Sequence, residues 1–107
     1  MVYTTEEIKR RITPIAEKYE IHTVYLFGSY ARNEASEISD VDVLIDTSGS
    51  NIEGWTIGGL YNDLCDSLEK GADIVTVAAL NQNWGDDKMP QFAENVMKEK
   101  VLIYERK

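Results

Sequence analysis

Histidine and cysteine are nearly missing from this chain, which carries only His22 and Cys65. A lone cysteine excludes an intrachain disulfide, and a lone histidine excludes a centre built from several imidazoles. Basic residues are also scarce, with 11 Lys and Arg against 19 Asp and Glu and a net charge of -8. An acidic surface repels phosphate backbones, so direct nucleic acid binding is disfavoured. The same charge favours a basic partner surface or bound cations. No apolar run approaches the length of a membrane span. Met1 opens on polar residues rather than a signal peptide, so the expected location is cytoplasmic. There are no repeats, low-complexity tracts or linkers, and 107 residues predict a single domain over 1–107.

What is present reads as alternating helices and strands. Thr4-Thr5-Glu6-Glu7 has the pattern of a capping box, with Thr4 as N-cap. Ile8, Ile12, Ile15, Ala16 and Tyr19 then recur at helical spacing, with Pro14 placed to bend that helix. Residues 22–27, "HTVYLF", predict a buried strand ended by Gly28-Ser29. "SYAR" is placed to start a short helix at Ser29, and "NEASEIS" is a polar loop. Residues 40–46, "DVDVLID", predict a second strand, and 47–51 a loop. Ile57, Leu60, Leu64 and Leu68 mark one face of a helix over about 53–70, with Gly71 as its stop. "ADIVTV" (72–77) predicts a third strand, followed by a loop over 81–87. Pro90 suits the first turn of a last helix with Phe92, Val96 and Met97 inward. "VLIYE" (101–105) is an expected edge strand. The expected class is α+β, a small mixed β-sheet flanked by helices.

Two acids inside one apolar strand need an explanation. Side chains alternate along a strand, so Asp40 and Asp42 share a face while Val41, Val43 and Ile45 share the other. Residues two apart on one face sit roughly 6.5–7 Å apart. Unpaired carboxylates that close repel, and one pKa rises. A bound Mg²⁺ removes the conflict, because it takes oxygen ligands from a few carboxylates and substrate phosphates. The plainer reading is a half-exposed strand with a polar outer face. Asp73 opens the third strand, and a neighbouring strand brings it beside Asp42. Three acids on adjacent strands frame two metals, Asp73 serving as second-metal ligand or general base; alone, it is a turn acid after Gly71. Gly28 lets a phosphate approach the backbone, Ser29 Oγ can donate to a β- or γ-phosphate, and the first amides of a helix at Ser29 add donors. Arg32 could add charge near the phosphates or pin the loop. His22 fits a strand end, Cys65 a small core residue of the long helix, and Asp46 a strand end. Asp63 and Asp66 fit a solvated helix face and Asp86-Asp87 a solvated loop. Trp55 and Trp84 suit partial core, a partner surface or stacking on a base.

The ordered set "GSYAR", "SDVDVLID", "ADIVTV" resembles the signature of the DNA polymerase β-like nucleotidyltransferase superfamily. The chain's size resembles its minimal nucleotidyltransferases, the MNT proteins. The resemblance covers about residues 22–77. It implies a polymerase β palm-like fold that binds two Mg²⁺ ions and ATP and transfers AMP. Carried over by motif position, Gly28, Ser29 and Arg32 bind nucleotide, Asp40 and Asp42 bind metal, and Asp73 is a metal ligand or base. It also implies an antitoxin, of the type VII-like kind, that adenylylates a tyrosine of a HEPN-domain toxin. The alternatives are neutralisation by binding alone and transfer to a small molecule. A homo-oligomer or a hetero-oligomer with the toxin fits the resemblance. Where many members carry Arg-Gly, this chain has Arg32-Asn33, and the loop is expected to survive because asparagine tolerates a left-handed turn better than most residues.

Overall fold

The computed structural model describes residues 2–47, 54–77 and 90–106, and the side chains of 54–56 and 90–93 fall outside that description. In chain order it contains α1 (Thr5–Lys18), β1 (Thr23–Phe27), β2 (Val41–Asp46), α2 (Gly54–Leu68), β3 (Ala72–Thr76), α3 (Pro90–Glu99) and β4 (Val101–Glu105). The sheet runs β3-β2-β1-β4. β1 pairs antiparallel with both β2 and β4, while β2 and β3 are parallel, so the sheet is mixed. A parallel pair needs a long crossover, and α2 supplies it.

The strands and helices follow from their apolar patterns. The α1 face Ile8, Ile12, Ile15 and Ala16 and the α2 face Leu60, Leu64 and Leu68 are buried against Val24, Leu26, Val41, Val43, Ile45 and Ile103 of the sheet. Each Ile, Leu or Val among them contributes about 1.5–3 kcal/mol on burial. The opposite sheet face carries a smaller cluster of Phe27, Leu44 and Val96, which seats α3 there. Asp42, two residues from Leu44, points to this α3 side, as strand alternation requires.

The start of α1 is the capping box its sequence predicts: the Glu7 amide donates to Thr4 Oγ1 at 3.1 Å and the Thr4 amide to Glu7 Oε1 at 3.2 Å. Pro14 lies inside the helix, which runs through it to Lys18.

Several expected boundaries are corrected. β1 and β2 begin at Thr23 and Val41, one residue later than the apolar runs, and β3 ends at Thr76. α2 stops at Leu68, and the left-handed residue after it is Glu69 (φ 56°), not Gly71. Met97 is 41% exposed rather than inward. Asp63 is tied rather than simply solvated, accepting from the Tyr19 hydroxyl at 2.6 Å and Lys18 Nζ at 3.1 Å. These donors hold its carboxyl below the usual range, Tyr19 first. The expected loop over 81–87 with Trp84 and Asp86-Asp87, and the side chains of Trp55 and Phe92, lie outside the described residues. Among the described residues no helix is long and apolar enough to cross a membrane.

Candidate active site

The end of β1 turns sharply at Gly28, whose φ of +76° is open to glycine and strained for other residues. A second constraint acts there: a Cβ on Gly28 would overlap Asp42 Oδ2. The turn and the β2 acid are therefore packed backbone to carboxylate. Ser29 does not start a helix, which corrects that expectation. The chain instead makes successive hydrogen-bonded turns, Arg32 N–H to Gly28 O at 3.1 Å and Glu34 N–H to Ser29 O at 2.8 Å. Asn33 takes the left-handed conformation (φ 58°) its type tolerates. Donors for an anion at this turn are thus loop amides and the Ser29 hydroxyl, without a helix dipole behind them. Ser29 Oγ donates to none of the described residues.

The parallel register sets Asp42 directly beside Asp73, and the antiparallel register sets Asp42 opposite Phe27. Asp42 is half-buried and Asp73 exposed. Burial first, then the charge and hydrogen bond of Asp73, then the charge of Asp40, push the Asp42 carboxyl up to about 6; Arg32 pulls weakly the other way. Asp40 lies just before β2 and is exposed. It leans towards Gly71, where an added Cβ would come within 2.5 Å of Asp40 Oδ1. The Val41 amide donates to Gly71 O at 3.1 Å and fixes that approach. Gly71 is therefore the space that accommodates Asp40, a role its reading as a helix stop missed.

Asp42 and Asp73 are brought together, while Asp40 stands beside them with its charge still felt at Asp42. Among the described residues no three acidic, histidine or cysteine side chains close around one metal position. The chemistry of the pair nevertheless fits a hard divalent cation. Two carboxylates face each other, one of them pushed up to about 6, and the donors are all oxygen.

A cleft of about 350 Å³ opens beside Asp42. Its lining includes Phe27, Gly28, Ser29 and Arg32 on one side and Asn95 and Glu99 of α3 on the other. That volume is at the small end for a small-molecule site. A larger hollow, about 440 Å³, lies along α1 by Glu6, Lys9, Arg10, Thr13 and Pro14. It holds neither the carboxylate pair nor the glycine turn, so the chemistry belongs to the smaller cleft. Asn95 and Glu99 are the residues sequence reasoning missed, because a helix late in the chain carries no motif pointing to the turn at Gly28. Arg32 is engaged by Glu99 and Glu34, at 3.1 Å each.

The family described as Polymerase beta, Nucleotidyltransferase matches residues 10–107. The chain belongs to that family. This nucleotidyltransferase is 39% identical over 71 residues to a Methanocaldococcus jannaschii protein that carries the name of a protein adenylyltransferase, covering 66% of this chain and 71% of the relative. A second such protein of that organism is 37% identical over 75 residues, covering 70% and 80%. Among solved structures, the nucleotidyltransferase superposes on a chain of a toxin-antitoxin crystal structure with AMP-PNP at a TM-score of 0.67 and 16% identity, covering 92% of this chain and 74% of that one. It also superposes on a chain of a tri-AMPylated Shewanella oneidensis HEPN toxin in complex with MNT antitoxin, at a TM-score of 0.64 and 14% identity, covering 96% and 74%. At these identities the structural likeness is one of fold, and it agrees with the α+β mixed sheet expected from sequence.

Proposed function

We propose that this nucleotidyltransferase moves AMP from ATP to a hydroxyl of a partner protein, with a tyrosine of a HEPN-domain toxin as the acceptor, and so acts as an antitoxin. The observation that carries the reading is the Asp42–Asp73 pair beside the Gly28-Ser29 turn. The relatives named as protein adenylyltransferases support the reaction class, and the fold shared with a chain of the HEPN–MNT complex supports the partner. Gly28 leaves room for a phosphate, and Ser29 Oγ with the turn amides donates to the β- and γ-phosphates. Asp40, Asp42 and Asp73 would hold Mg²⁺, which neutralises phosphate charge and acidifies an attacking hydroxyl when bound. The acceptor oxygen forms its bond to the α-phosphorus, the bond to pyrophosphate breaks, and the hydroxyl proton leaves to Asp73 or, where Asp73 ligates metal, to solvent. Positioning and charge neutralisation carry the acceleration.

The test is incubation with labelled ATP, Mg²⁺ and the partner. Label is expected on a partner tyrosine, and folded wild-type protein that leaves the partner unlabelled overturns the reading.

A second reading, neutralisation by stoichiometric binding, is favoured by one observation: Asp40 is not gathered with the other two acids into a closed cluster. The Asp40→Ala/Asp42→Ala double variant separates the two. It keeps neutralising activity under the binding reading and loses it under the enzymatic one.

A further inference from the structure

Glu99 occupies the last residue of α3. A carboxylate there faces the negative end of the helix dipole, the least favourable place on a helix for an acid. Its partners lie outside the helix. Glu99 Oε1 accepts from the Gly28 amide at 3.0 Å, and both carboxylate oxygens accept from Arg32 at 3.1 Å. Gly28 is buried, so its amide needs an acceptor that water cannot readily supply. One side chain thus joins both ends of the turn that carries Ser29, tying it to an element 71 positions away in sequence.

We propose that Glu99 is a positioning residue for the nucleotide site. It holds the Gly28-to-Arg32 turn in the shape that presents Ser29 Oγ and the following amides to phosphate, and Arg32 acts through Glu99 rather than on the phosphates. The inference rests on the nucleotide-binding reading of this cleft. The Gly28 amide and the Arg32 guanidinium are already committed, whereas Ser29 Oγ is left without a bond among the described residues. Charge-assisted hydrogen bonds to a planar guanidinium are directional, so the pair fixes orientation as well as distance.

The experiment compares wild type with Glu99→Ala, Glu99→Gln, Arg32→Ala and the Glu99→Ala/Arg32→Ala double variant. Two quantities are read: amide exchange in the free protein, and affinity for AMP-PNP in the presence of Mg²⁺. Glu99→Ala is expected to speed exchange at the Gly28 and Arg32 amides, both bonded within the clamped turn, while leaving Leu26 in β1 unchanged, and to weaken AMP-PNP binding about tenfold. Glu99→Gln, which can still accept from the Gly28 amide, recovers part of both. Arg32→Ala weakens binding on its own and adds little in the Glu99→Ala background, because the two act as one unit. Tighter binding by Glu99→Ala would make Glu99 a competitor for the phosphate position and overturn the proposal. A full additional loss from Arg32→Ala in the double variant would place Arg32 on the phosphates and overturn it too. If Glu99→Ala does not fold, unchanged exchange and affinity in Glu99→Gln overturns it and partial loss supports it. Wild-type protein that binds no AMP-PNP, with the turn still loosened by Glu99→Ala, would sink the nucleotide reading and leave the clamp standing.

Discussion

Asp42 and Asp73 sit side by side in register across the parallel β2–β3 pair, with the same face of the sheet behind them. Parallel pairing fixes this more firmly than loop geometry would, because slipping one residue sends a carboxylate into the apolar face. The fold therefore holds two carboxylates side by side, and like charges that close repel.

The pH dependence of stability should reveal that contact. In the fold the Asp42 carboxyl is raised from 3.8 to about 6. A raised carboxyl favours the folded state when protonated, so its contribution is complete below about 3.8 and lost as pH rises through about 6. Metal-free wild type should therefore lose stability across this window relative to Asp42→Asn. The difference should reach about 1–2 kcal/mol by pH 7, after discounting for the solvent that reaches the site. Melting curves in a chelator from pH 4 to 7.5 measure it. Added Mg²⁺ at pH 7 should stabilise wild type and leave Asp42→Asn nearly unmoved, and a pH-independent difference would refute the account.

Two glycines at the site should fail in different ways. Gly28→Ala meets both a left-handed backbone and Asp42 Oδ2, and should cost about 1–3 kcal/mol of stability as well as activity. Gly71 has no such backbone constraint, since Gly28 is the glycine with positive φ among the described residues. Gly71→Ala displaces only Asp40, so it should fold near normally, with less than about 1 kcal/mol lost, and still lose transfer activity. Thermal melting beside labelled-ATP transfer separates the two. Equal destabilisation by both variants would show that Gly71 is needed for the fold rather than for Asp40.

The helices and strands were legible because their apolar periods are clean. Ile8, Ile12, Ile15 and Ala16 repeat as a helix does, and Val41, Val43 and Ile45 alternate as a strand does. The meeting of Asp42 with Asp73 was also legible, because a short apolar strand after a crossover helix has few places to pair. What escaped was set by contacts between distant parts of the chain. Gly71 reads locally as a helix stop, yet Glu69 takes the left-handed position and Gly71 yields space to Asp40. Glu99 looks like an ordinary helix-surface acid until the sheet places α3 over the Gly28 turn. Ser29 reads as a helix start because local sequence cannot show that Asn33 closes the segment as turns.

The N-terminal cap offers a control away from the site. Thr4 and Glu7 exchange hydrogen bonds at the start of α1, and Thr4→Ala removes the side-chain acceptor for the Glu7 amide. The expected loss is about 1 kcal/mol, with transfer activity per folded molecule unchanged. Chemical denaturation and a transfer assay at low temperature check both parts. A loss of activity beyond the unfolded fraction would mean that α1 reaches the site.

The Asp42 titration should respond to its two acidic neighbours in a definite order. Burial contributes most to raising Asp42, Asp73 comes next through its charge and hydrogen bond, and Asp40 follows through charge alone. Asp73→Asn removes a negative neighbour and leaves an amide able to donate to the Asp42 carboxylate, two changes that both favour ionisation. Asp40→Asn removes only a weaker repulsion. Asp42 should therefore fall furthest in Asp73→Asn and slightly in Asp40→Asn. It should return to 3.8 in neither, because burial persists in both. Carboxyl carbon NMR titration of Asp42 in metal-free wild type and the two variants reads the effect directly. If Asp40→Asn lowers Asp42 more than Asp73→Asn does, the carboxylates are gathered around Asp40 instead, and the Asp42–Asp73 pair is not the electrostatic centre of the site.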